Sequence, residues 1–144
     1  MFGVQWDLVL KHLSNKGVTD SDLKTDSTDW GNYINKTYEI TNTSAKYSTD
    51  YGASFTNAPY NKTASGDVLL TTGAYDNFSK YNIYDLAGNV WELTLEKTSY
   101  TSVPCASRGG GYGGTGSVYP ASVRNGFGVP TSSSHDFGFR CSLY

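Results

Sequence analysis

The sequence predicts an α+β domain with one or two short helices, a short antiparallel sheet and long ordered loops. Three observations carry that reading. Apolar residues recur at helical spacing near the start, in VQWDLVLKHL (4–13). They alternate at the strand period near the end, in NVWELTLE (89–96) and FGFRCSLY (137–144). Between them, residues 28–77 are rich in Asn, Thr, Ser, Gly and Tyr and carry only brief strand-like pieces.

In 4–13, Val4 with Leu8, and Trp6 with Leu10 and Leu13, form helical stripes, and Gly17 follows as a stop signal. TDSDLKTD (19–26) reads as a second short helix capped by Asp20 or Ser21. YEIT (38–41) and DVLLTT (67–72) are the strand pieces of the middle. There Trp30, Tyr33, Tyr38, Tyr47, Tyr51, Phe55 and Tyr60 are expected to anchor the loops.

In 89–96, Trp91, Leu93 and Leu95 alternate with Val90, Glu92 and Thr94, as in a half-buried strand. At the end, Phe137, Phe139, Cys141 and Leu143 share a face, which predicts a core strand. Its expected neighbour is the strand around Arg108–Tyr112, antiparallel to it in one sheet. The Gly/Ser-rich tract between is then a connection held at both ends. Cys105 and Cys141 would lie near each other, and their pairing stays open.

The length suits a single domain over 1–144. A formal charge of −2 without a basic stripe excludes a nucleic-acid partner. No apolar run approaches the roughly 20 residues of a membrane span, so membrane insertion is not expected. The start has neither the basic flank nor the cleavage site of a signal peptide. Abundant Tyr, Ser, Gly and Asn resemble a recognition surface, where Tyr supplies rigid contact area.

Several motifs fail on context. Gly109, Gly111 and Gly114 match G-x-G-x-x-G, but Pro120 and a Ser/Gly run follow where a phosphate cradle needs a helix. His12 and His135 show no metal spacing with either cysteine. YDLAGNVWEL (84–93) is sharper. Asp85, a Gly88–Asn89 turn and Glu92, with the carbonyls of Gly88 and Val90, make an oxygen cage suited to calcium. The same residues also make a tight turn in which Asp85 caps backbone N–H groups.

NIYDLAGNVWEL, RGGGY and FGFRC, in that order, resemble the signature of the formylglycine-generating enzyme (sulfatase-modifying factor) family, and VQWDLVLK resembles its E-W-E helix. The resemblance implies an elaborated C-type lectin fold over essentially the whole chain, with less sequence before the first helix than family members usually carry. It also implies the family's calcium loop at Asp85, Gly88, Val90 and Glu92. Activity is not implied. The enzymes place two cysteines after R-G-G-S; laid on GGGYGGTGSVY (109–119), those positions hold Gly114 and Tyr119. Without thiolates there is neither a nucleophile nor a copper-binding pair, and the expectation is a non-catalytic relative with no other cofactor.

From Gly111 to Phe137 there is no Lys, Glu, Gln, Met or Trp, whereas residues 1–110 contain sixteen of these. Those five are unreachable when an Asn codon ending in C or T is altered at its first two bases. The tract is thus similar to that of variable proteins of diversity-generating retroelements, with 108–144 as the variable region. The resemblance implies exchangeable contact positions at Gly111, Gly113, Gly114, Thr115, Val118, Tyr119 and Val123. The set continues with Phe127, Val129, Ser132, Ser133, Ser134, His135 and Phe137. Gly109, Gly110, Gly138, Phe139 and Arg140 would be scaffold, with Trp91 and Phe139 beneath the surface. The implied role is binding of a protein or glycan ligand from the surface of a bacterium or phage particle. An enzyme with an unrecognised site, or a structural domain of a surface assembly, are the alternatives.

Overall fold

A computed structural model describes residues 1–128, 131 and 133–141. Helix α1 spans Gly3–Asn15, and the stripe of Trp6, Leu10 and Leu13 is buried while Val4 and Leu8 face solvent. The chain leaves it at Gly17. The second helix is a single π-helical turn, Ser21–Thr25. Its cap is Thr19, whose Oγ1 accepts from the Asp22 N–H at 3.1 Å. Thr19 stands three residues before Asp22, the spacing of a cap hydroxyl; Asp20 instead pairs with Lys24. Neither Asp20 nor Ser21 caps by its side chain.

The middle of the chain forms five short strands: β1 (Tyr38–Ile40), β2 (Lys46–Ser48), β3 (Thr56–Asn57), β4 (Tyr60–Lys62) and β5 (Leu69–Leu70). β1 pairs with β4, and β2 lies between β3 and β5, all antiparallel. Tyr38, Ile40, Val68, Leu70 and Phe78 build a core here, with the Tyr47 ring stacked on Tyr60 at 4.1 Å. Trp30, Tyr33 and Tyr38 are buried as anchors should be, but Tyr51 and Phe55 are exposed. A hairpin of β6 (Ser79–Lys80) and β7 (Ile83–Tyr84) follows.

The main sheet holds β8 (Trp91–Lys97), β9 (Cys105–Arg108), β10 (Arg124–Gly128) and β11 (Phe137–Gly138), in the order β10-β9-β8-β11. It departs from the expectation in three ways. First, β11 pairs with β8 in parallel, Phe137 opposite Trp91 and Gly138 opposite Glu92, so the sheet is mixed and β8 separates β11 from β9. Second, the alternation along β8 is present but inverted in burial. Glu92 and Thr94 are buried, while Leu95 is 65% exposed. Polar partners draw that face inward: Thr94 Oγ1 donates to the Ala106 carbonyl at 2.9 Å, and Glu92 meets Arg140. Third, the closing segment is not a core strand over its described length. It leaves the sheet after Gly138, which turns Arg140 toward Glu92 and leaves Phe139 79% exposed. Leu143 lies outside the described residues. Cys105, opposite Lys97 on the far side of β8, and Cys141 are both free thiols.

A second core of Trp6, Leu10, Leu13, Leu23, Trp30, Tyr33 and Leu86 sits between α1 and the loops. Asn32 and Asn89 join it to the first. The Asn32 amide donates to the Val68 carbonyl (2.8 Å) and to Asn89 Oδ1 (3.0 Å), and its own Oδ1 accepts from Tyr38 (3.0 Å). Asn89 exchanges two 3.1 Å bonds with the Leu70 backbone. Two amides with their hydrogen bonds made are compatible with burial, and they tie the AGNVWE turn to the excursion loops.

Candidate functional site

The R-G-G stretch sets the site. At the end of β9, Gly110 has a φ of 80°, and a Cβ there would meet the Tyr119 carbonyl at 2.6 Å. The chain then crosses over the AGNVWE turn, with the Tyr112 N–H on the Asn89 carbonyl at 2.9 Å. Residues 113–118 contain little to pack, yet the backbone around them is tied to the scaffold. Gly114 accepts from Ile34 (2.9 Å), Gly116 from Ser27 (3.2 Å), and the Tyr119 carbonyl from the buried Tyr33 hydroxyl (2.8 Å). At the far end of the tract the Trp91 N–H donates to the Asp136 carbonyl at 2.7 Å, starting the β8–β11 pairing.

These ties frame an open cavity of about 540 Å³. Of the fourteen exchangeable positions, Gly111, Gly113, Gly114, Tyr119, His135 and Phe137 line it. Gly111 is buried, so it is not the free contact position expected of it. A Cβ there would lie 3.1 Å from the Trp91 ring, and one on Gly114 would lie 2.6 Å from the Tyr119 ring. Thr115, Val118, Val123, Ser133 and Ser134 lie outside the cavity lining, with Val118, Ser133 and Ser134 exposed. Phe127 contributes backbone to β10, and Val129 and Ser132 lie outside the described residues. Trp91 supports the tract as expected, its ring 5.0 Å from Tyr119; exposed Phe139 does not.

Sequence reasoning left Tyr51, Asp67, Tyr112 and Asp136 off the list of contacts. Tyr112 and Asp136 lay within the tract itself. Tyr51 and Asp67 carry no local signal, because loop packing alone brings them there. The Tyr51 ring lies 5.1 Å from the His135 ring, and its hydroxyl donates to Asp67 Oδ2 at 3.3 Å. Tyr112 Oη and His135 Nδ1 share a hydrogen bond of 2.6 Å. Burial, and after it the carboxylates of Asp136 and Asp67, push the Tyr112 hydroxyl up to about 12.

Asp85 and Glu92 are brought into one buried cluster behind β11. Asp85 Oδ2 accepts from the Gly73 N–H at 2.8 Å. Glu92 accepts two bonds from one edge of a guanidinium, from Arg140 Nε at 2.9 Å and from Nη2 at 2.6 Å. The same Nη2 reaches the Tyr84 carbonyl at 2.9 Å. Burial raises both carboxylic acids above their usual range, and Arg140 pulls them back. In this arrangement the cation beside Glu92 is Arg140, and calcium at Asp85, Gly88, Val90 and Glu92 would have to displace it. Among the described residues no three His, Cys, Asp or Glu side chains gather as a metal group. With Arg140 in place, a chelator is expected to leave the wild-type melting temperature unchanged; a calcium-dependent rise would assign the ion to these residues.

No curated protein and no solved structure matches the chain. A family match does exist, to the sulfatase-modifying factor enzyme 1-like domain, over residues 14–143. It takes in the AGNVWE turn, R-G-G and F-G-F-R, whereas the helical stretch 4–11 falls before it. Since the match leaves out only the first thirteen residues and the last, the chain belongs to the sulfatase-modifying factor enzyme 1-like domain family.

Proposed function

We propose that this chain is a ligand-binding member of its family, in which the tract after R-G-G forms a diversified recognition surface instead of an oxidase site. One observation carries the reading: besides buried Gly111, five of the fourteen exchangeable positions line a single cavity on a backbone held by the scaffold. A rigid frame with exchangeable loop side chains is the arrangement of a paratope. Gly114 and Tyr119, where the resemblance places the enzymes' cysteines, are both cavity walls here and neither carries a thiol. Display on a bacterial surface or phage particle belongs to the same proposal, with the C-type lectin fold as its scaffold.

Two tests bear on it. The neighbouring DNA should hold a reverse-transcriptase gene and a near-copy of the 3′ end with Asn codons at the exchangeable positions; their absence overturns the retroelement origin. The surface itself is tested by substituting Val118→Asn, Ser133→Tyr and Ser134→Asn together. All three are exposed, so stability should shift by no more than about 1 kcal/mol while capture of a target selected on the wild type is lost. Unfolding of the triple variant would instead place the tract in the structural core.

A further inference from the structure

We infer that the cavity beneath the tract takes an organic cation, an alkylammonium or guanidinium group of the size of a lysine or arginine side chain. The inference rests on the ligand-binding reading above and names the ligand class of that same site. At about 540 Å³ the cavity lies within the range of small-ligand pockets, roughly 300–1,000 Å³. Its walls carry five aromatic side chains: Tyr51, Trp91, Tyr112, Tyr119 and Phe137. Ring faces present negative potential, and cages of such rings hold ammonium and guanidinium groups.

Charge points the same way. Asp67 and Asp136 both line the cavity, and among the described residues no lysine or arginine does. Asp67 is the undercompensated group. Its Oδ1 is buried against Gly113 without a hydrogen-bond partner among the described residues, and Oδ2 receives one long bond from Tyr51. A carboxylate whose buried oxygen has no donor is undercompensated, and a cation held in the cavity offsets its charge at close range. The buried ammonium of Lys62 feels Asp67 but is committed elsewhere, donating to the Tyr33 carbonyl at 2.8 Å beneath the Tyr38 ring. Asp136 spends one oxygen on the Ser134 hydroxyl. An anionic ligand would meet two carboxylates, with no lysine or arginine among the described lining residues to offset them. A neutral apolar ligand would leave Asp67 Oδ1 as it is.

The test uses the whole chain with four probes of one length: butylammonium, butylguanidinium, butyrate and butanol. The readout is the indole N–H resonance of Trp91. It is separable from those of Trp6 and Trp30, which are buried and bonded to the Ala121 and Asp22 carbonyls. Both cations are expected to shift the Trp91 signal saturably, and butyrate and butanol to leave it in place. Asp67→Asn should weaken cation binding about tenfold at unchanged melting temperature, and Asp136→Asn should weaken it less. The second variant keeps the test open if Asp67→Asn unfolds. Equal response to butyrate or butanol, or full cation affinity in both variants, overturns the inference. Lysine and arginine peptides binding tighter than the butyl cations mark a protein side chain as the source, and the reverse order marks a free amine. If cations fail while the triple variant still loses its selected target, the ligand class is wrong and the surface stands. If cations bind but the triple variant unfolds, the surface reading fails alone.

Discussion

Replacing Arg140 with methionine is expected to destabilise the domain by about 3–5 kcal/mol, the usual cost of leaving a buried charge without its partner. The guanidinium is bidentate on Glu92 and also bonds the Tyr84 and Asp85 carbonyls, so its loss strands several acceptors at once. The pH dependence distinguishes this cause from a packing defect. Burial already raises Glu92 and Asp85, and without Arg140 they rise further. An acid raised on folding contributes stability that is present below its unfolded value and lost as pH climbs through the folded one. The variant's deficit should therefore be largest near neutrality and shrink as the solution is acidified toward the ordinary carboxylate range, about pH 4–5. Denaturant melts of both proteins across that window measure it. A deficit that does not change with pH would mean that Arg140 acts through packing alone.

Gly88→Ala is expected to be nearly as damaging. Gly88 has a φ of 68°, and an added Cβ would lie 2.3 Å from the Asn32 carbonyl oxygen and 3.0 Å from the Asn32 nitrogen. The left-handed conformation costs a side chain about 1–2 kcal/mol, and the forced backbone shift costs about 1–3 kcal/mol more. That shift also threatens the Asn89-to-Asn32 and Gly88-to-Gly109 backbone bonds, on which the R-G-G turn rests. Gly113→Ala is the control. An added Cβ there meets nothing closer than Asp67 Oδ1 at 3.5 Å, and thermal melts should place this variant close to wild type. If the two variants melt alike, the turn is softer than its geometry implies.

The contrast between those glycines shows where the sequence was legible. α1, β1, β5, β8 and the special backbone of the R-G-G and AGNVWE turns follow from local pattern, because periodicity and turn chemistry are local. The partner of β8 does not. Two residues of parallel pairing carry no periodic signal, and the apolar alternation in FGFRCSLY pointed to an antiparallel core strand. Glu92 and Thr94 face inward because Arg140 and the Ala106 carbonyl wait there, contacts that span 48 and 12 residues. Half of the cavity was legible for the same reason. Its walls lie within one contiguous tract that composition marks out. Tyr51 and Asp67 reach it through the loop packing of the middle region, which leaves no pattern to read.

That division of the cavity between stretches bears on what a family of such variants would look like. Tyr51, Asp67 and Trp91 lie outside 111–137, so rewriting the tract reshapes the rim while they stay the same. Sister proteins made on this frame would be a skewed repertoire. They would differ in contour and reach, yet each would inherit the same acidic, aromatic floor. Selection would then start from a common appetite for positive charge and act mainly on which cation-bearing target fits around it.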